Sequence, residues 1–371
     1  MFSAVDAQQY KAYGEYLFDT GGYASSTRPY LYPLLVEVLF KSGGVQFLWF
    51  FQFLLHVVGG MLLFASNRNT LRSVLLWFGI VVLYGMHPTL LAQTSHALTE
   101  SVITFLICVL VYVQFSDPSK KTTRSVLVLS VASVIKPLFL YLFFVVLIAL
   151  LYRSLRTKSL YKPYKLSITV SIIVVMIQPL IMKKQEGSFF FSKIGGITVQ
   201  DYYLQLLYAR IKSIPFPIQS GPNEKDAQTI SSATATWTTK DILIFAAQHP
   251  ATALLTGGET IISNLDSGSQ LLPGTEKTFP MLHKWAKVVR KLTVGFHLLA
   301  LLGITVLAFR KSAKKWLIQH PIPVLTLLYI IITSGISFWQ GDRLVIIALP
   351  IWLITYAALF KIIVRILNSK A

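Results

Sequence analysis

The feature that most restricts this chain is a recurrence of apolar runs joined by short basic connections. The runs cover about 46–65, 72–88, 98–116, 124–136, 137–152, 166–182, 292–309, 321–339 and 344–364. A soluble α/β domain interrupts its apolar stretches after roughly five to eight residues, and most of these continue further. Of the 371 residues, 54% are hydrophobic and 13% charged, too oily a balance for a fully hydrated surface. The expected fold is therefore all-α and polytopic, a bundle of transmembrane helices carrying external loops.

The stretch 124–152 has two readings. As a single helix its 29 residues reach about 43 Å, against a hydrocarbon layer of about 30 Å. It contains "SVIKPLF", in which Pro137 removes a backbone donor and crowds the preceding turn, so a break after Lys136 is expected. With a hairpin there, "ASNRNTLR", "SDPSKKTTR", "RSLRTKSLYKPYK", "RKSAKK" and the tail from Lys361 all fall on one side. They hold 17 of the 34 Lys and Arg and a single acid, Asp117. The positive-inside rule makes that side cytoplasmic. The same distribution accounts for the net charge of +19, which otherwise looks like a nucleic-acid footprint.

This orientation divides the chain into four parts. Residues 1–45 form an external N-terminal loop with an amphipathic helix, and 46–182 are membrane helices. Residues 183–291 form a large external loop, and 292–371 hold the C-terminal membrane helices and a cytoplasmic tail. Over 183–284 the large loop carries nine basic and eight acidic residues, near neutrality and unlike the basic connections. A connection of this length is expected to fold in part as a cap or lid, with a plain long loop as the alternative. No apolar segment precedes residues 1–45. Either a short tail crosses unaided, or a first membrane helix is encoded upstream of Met1; the second is the expectation.

Polar groups gather on the external side: Asp6, Glu15, Asp19 and Arg28, then His87, His96 and Glu100, then Lys136, Asp342 and Arg343. Ionisable groups beside hydrocarbon are costly unless paired or used, so their placement at one face points to a single polar chamber. A carboxylate there takes a proton from an attacking hydroxyl when the two lie about 2.6–3.2 Å apart. Arg and Lys beside it neutralise a phosphate leaving group. Each residue also has an ordinary role open to it. Asp6 could cap a helix, Glu100 could pair with His96 four residues away, Lys136 and Arg343 could be snorkelling anchors, and Arg28 could be an interfacial loop residue.

Other chemistries find less support. The one cysteine, Cys108, lies in an apolar run and gives neither a disulfide framework nor a Cys-based metal site. The seven His form no HExxH and no close ligand triad, so no metal site is expected; a divalent ion shared between a carboxylate and a lipid phosphate stays open. "TGGYASS" and "KIGGITV" lack the P-loop ending that nucleotide binding needs. In "HKWAKVVRKL", Lys284, Lys287, Arg290 and Lys291 make a basic interfacial stretch on the external side, against the positive-inside trend. A lipid head group would offset it, and plain solvation is the alternative.

Five segments, in order, resemble the membrane-embedded GT-C glycosyltransferases, above all the bacterial branch of protein-mannosyltransferase-like, aminoarabinose-transferase-like and lipopolysaccharide-core enzymes. "DAQQYKAYGEYLFDTGGYASSTRPYLYPLLVEVLF" resembles their first external loop, and "HPTLLAQTSHALTESVITFLICVLVY" their second running into the next helix. "VASVIKPLFLYLFF" looks like their short hairpin, "FFFSKIGGITVQDYY" like the opening of their large loop, and "GDRLVIIALPIWLI" like their final helix. The resemblance covers nearly the whole chain; no segment is specific alone, and the order carries the weight.

The resemblance implies a polyprenyl-phosphate sugar donor, an extracytoplasmic acceptor (lipid, glycan or protein) and a multi-pass location in the inner membrane. By position Asp6 matches the catalytic base and Glu100 the second-loop acid that arranges the site. Charge and location make Arg28, Lys136 and Arg343, with His96, the candidate substrate-binding groups. One base and no evident covalent nucleophile favour inversion by direct displacement. A membrane transporter fits the bulk hydropathy too, but it predicts internal repeats and midplane charges. A polymerase or ligase of lipid-linked saccharides predicts an Arg- and His-rich external loop, and 183–291 holds two of each.

Overall fold

A computed structural model describes residues 5–22, 25–67, 79, 82–116, 121–156, 162–218, 221–266, 280–308, 317–337 and 343–368. Among these the fold is all helical, with no strand. The expected run at 72–88 lies largely outside the described residues, as do "RKSAKK" and Asp342.

Helix α1 (Val5–Thr20) lies on α2 (Leu31–Asn67). Their contact is close because residue 14 is glycine: a Cβ there would stand 2.2 Å from the Pro33 carbonyl oxygen. Helix α2 is broken at Gly43 and Gly44, the latter at φ 67°, ψ −161°. That conformation is open essentially to glycine alone. The break separates the half against α1 from the apolar half that follows, near the residue 45 boundary read from the sequence. Gly44→Ala should cost about 1–3 kcal/mol and lower the thermal unfolding midpoint of the detergent-solubilised protein. Gly258→Ala, where an added Cβ meets nothing within 4 Å, should not lower it.

Helices α3 (Pro88–Thr94) and α4 (Thr99–Ser116) meet at a bend of 117°. Helix α5 (Lys121–Ile135) ends where Pro137 forbids continuation, and α6 (Phe139–Arg156) folds back on it. The hairpin, not the single helix, is the observed form. Helix α7 (Lys162–Glu186) packs on α5.

Residues 194–218 and 221–266 are folded. Helix α8 (Ile194–Thr198) runs through a π-helical turn (Val199–Leu204) into α9 (Gln205–Ile211), followed by α10 (Glu224–Thr234), α11 (Thr239–Gln248) and α12 (Pro250–Asp266). Leu206, Ala209, Phe216 and Ile230 make a small core of their own here. Asn223 caps α10, and a capping box of Thr238 and Asp241 opens α11. Asn264 of α12 donates to the Ser334 and Ser337 carbonyls at 2.9 and 2.7 Å. That ties the unit to α14 (Pro321–Ser334), which follows α13 (Pro280–Ala308). The chain closes with α15 (Arg343–Ile346) and α16 (Leu349–Asn368).

Among the described residues three helical stretches are long and apolar enough to cross a membrane: Leu31–Ser66, Lys165–Glu186 and Lys284–Thr305. The bent pair α3–α4 makes a fourth if it is counted as one span. Phe139–Tyr152, Pro321–Ser334 and Leu349–Val364 are apolar but shorter, so several of the runs read from sequence give helices below full spanning length. The side chains support a membrane setting: on α2 Gln52 and His56 are buried while Phe50, Leu54, Met61 and Phe64 are exposed. Apolar groups outside and polar groups inside suit a hydrocarbon surround, where an exposed polar group is the costly one.

Candidate active site

Five separate stretches of backbone converge at the end of the bundle where α4 begins and α5 ends. The first turn of α1 carries Asp6, and that of α4 carries Glu100. A carboxylate in a first turn faces the positive end of the helix dipole, which favours it there. Lys136 sits at the α5–α6 turn, its backbone N–H still bonded to Ala132 at 2.8 Å. Arg343 opens α15, and Arg28 is held in the loop before α2, where its N–H donates to Ser25 Oγ at 2.9 Å.

These five side chains form one connected network. Arg343 donates from Nε to Glu100 Oε1 at 2.6 Å and from Nη2 to Asp6 Oδ2 at 3.1 Å. Lys136 donates to the same Glu100 oxygen at 2.9 Å, and Thr99 to Oε2 at 3.4 Å. Arg28 Nη2 reaches Asp6 Oδ1 at 2.6 Å. Three cations and two anions leave the cluster at +1. Arg343 uses two nitrogens of its planar fork to bridge acids that are 94 residues apart, which a lysine ammonium would do less rigidly.

The two acids differ in access. The Glu100 side chain is wholly buried, whereas that of Asp6 is 28% exposed, beside Arg28 at 19% and Arg343 at 18%. Burial alone would draw the Arg343 guanidinium below its ordinary pKa; Glu100 and Asp6 more than reverse this and hold it above. Arg28 behaves alike: burial lowers it, Tyr10 and Asp6 raise it, and the net shift is upward. Both guanidinia therefore stay charged at any working pH. The solvent-facing part of the cluster is Asp6 between two permanent cations.

Of the residues read from sequence, Asp6, Glu100, Arg28, Lys136 and Arg343 are in the network. His96 is half-buried in the turn between α3 and α4, before the helix that carries Glu100, so the two are not one turn apart on a helical face. Lys284, Lys287 and Lys291 are exposed on α13, and Arg290 is half-buried. Among the described residues no group of three or more His, Cys, Asp or Glu is placed to hold a metal ion.

The sequence reading missed the aromatic wall. Tyr10 is 4% exposed, its ring lies 5.2 Å from the Arg28 guanidinium carbon, and its hydroxyl accepts from Arg28 Nη1 at 3.4 Å. Tyr32 stands edge-on to Tyr10 at 4.8 Å and accepts from Gln52 at 3.1 Å. The four-residue spacing from Asp6 to Tyr10 puts both on one helical face and was the available signal. The 194–266 unit also reaches this corner through the residues before it: Ser192 Oγ donates to the Thr27 carbonyl at 2.6 Å and Lys193 N to that of Ser26 at 2.9 Å.

The class that fold and site define is a mostly helical protein, with a few long apolar helices consistent with a membrane protein and a buried acid–base network at one end of the bundle. Comparison with known proteins takes this no further, since no family model, curated protein or solved structure matches the chain.

Proposed function

We propose that this protein is a membrane glycosyltransferase of the GT-C kind, moving a sugar from a polyprenyl-phosphate donor to an acceptor presented at the extracytoplasmic face. The observation that carries the reading is the reach of Arg343 to both Asp6 and Glu100. It gathers a partly accessible carboxylate and surplus positive charge in one place, as displacement at a phosphate-bearing carbon requires.

In the proposed step an acceptor hydroxyl oxygen attacks the anomeric carbon while the bond from that carbon to the lipid phosphate oxygen breaks. The hydroxyl proton passes to Asp6, and the departing phosphate keeps the bonding electron pair. Arg28 and Arg343 turn from Asp6 to that phosphate, which frees the carboxylate to act as base. Glu100 keeps Arg343 and Lys136 in place from below and is a positioning residue. A single displacement inverts the anomeric configuration.

The test is transfer by the purified full-length chain in lipid vesicles, supplied with radiolabelled polyprenyl-phosphate sugars and envelope lipid, glycan and protein fractions as acceptors. Label should enter an acceptor with inverted configuration, and nucleotide sugars should give none. Movement of solute or lipid-linked sugar across the vesicle with no transfer would sink the proposal in favour of a transporter.

A further inference from the structure

The basic row on α13 has one member that turns inward. Arg290 lines a shallow cleft with His87, Thr293 and His297, walled by Leu265 and Ile346 and partly open to solvent. The cleft shares α15 with the Asp6–Glu100 network but none of its charged residues.

Two polar atoms here are buried without a hydrogen-bond partner: Arg290 Nε and His87 Nδ1. His87 is 2% exposed. The Thr293 hydroxyl donates to the Val289 carbonyl at 2.8 Å, so its oxygen is left to accept from His87 Nε2 at 3.5 Å. That assigns the ring proton to Nε2 and makes Nδ1 an acceptor. His297 is engaged elsewhere, bonded to the Tyr356 hydroxyl and stacked on Trp352 at 4.2 Å. The cleft thus presents one charged donor and one acceptor, and buried groups of this kind are normally satisfied.

A carboxylate answers the arginine but brings no hydroxyl for the imidazole. A singly protonated phosphate monoester brings both, an anionic oxygen for Arg290 and a P–OH for His87. Phe296 and Leu299 are exposed further along α13, apolar surface along which a hydrocarbon chain would lie. We propose that this cleft is a second anion site, taking a phosphomonoester, with a lipid head group and free phosphate as its two sources. The site does not depend on sugar transfer.

Native mass spectrometry of the full chain in neutral detergent tests this with four probes: phosphatidic acid, phosphatidylmethanol, diacylglycerol and inorganic phosphate. Phosphatidic acid should bind about tenfold or more tightly than the diester or the neutral lipid, the value of one charge-assisted bond. Arg290→Gln should remove the preference over diacylglycerol, His87→Phe should remove the preference over the diester, and Lys287→Gln on the exposed face should keep both. Inorganic phosphate that displaces phosphatidic acid identifies the free ion as the ligand, and failure to displace identifies the lipid. Equal binding of phosphatidic acid and phosphatidylmethanol or diacylglycerol by the unmodified protein, an unchanged preference over diacylglycerol in Arg290→Gln, or an unchanged preference over the diester in His87→Phe, overturns the site.

Discussion

Asp6→Asn should cut the rate of sugar transfer by about 10²–10⁴-fold, the usual worth of a general base, without weakening donor binding. The amide keeps the shape of the carboxylate but takes up no proton. It also ceases to compete with donor phosphate for Arg28 and Arg343, which hold the carboxylate at 2.6 and 3.1 Å. The variant should therefore show a lower kcat with an unchanged or smaller KM for the donor. Steady-state transfer kinetics over a range of donor concentrations separate the two parameters. A variant with wild-type kcat removes Asp6 from the chemistry, whatever the fold.

Glu100→Gln should produce the largest loss of stability, about 3–5 kcal/mol, because it leaves a buried ammonium without its anion and strips Arg343 of one of two. Lys136 has Glu100 as its ion-pair partner, at 2.9 Å. Removing the orphaned charge as well, in Glu100→Gln with Lys136→Met, should recover a large part of the loss. Thermal or denaturant unfolding of the single and double variants in one detergent measures this coupling. A single variant within about 0.5 kcal/mol of the parent, the range of an ordinary surface substitution, would mean the cluster is more hydrated than its burial indicates.

Much of this site was legible because charge in an apolar chain is rare. Asp6, Glu100, Lys136 and Arg343 stood out against the oily runs beside them, and the positive-inside rule set them at one face. The break at Lys136–Pro137 followed from proline chemistry and is present. What could not be read was pairing at a distance. Nothing in "GDRLVII" shows that Arg343 takes two partners, and local spacing paired Glu100 with His96 only if one helix ran through both. The 117° bend between α3 and α4 prevents that. Tyr10 escaped because an aromatic residue on a helix looks like core until its neighbour is known to be a guanidinium.

The bond between Arg343 and Asp6 closes a loop of 337 residues. During synthesis from the N-terminus, at about 5–20 residues per second, Asp6 and Arg28 emerge long before the residue that completes their network. For that interval the two acids have only part of their compensating charge. Completion of the network is thus a late event in biogenesis, and a nascent chain halted before α15 would carry its parts unjoined.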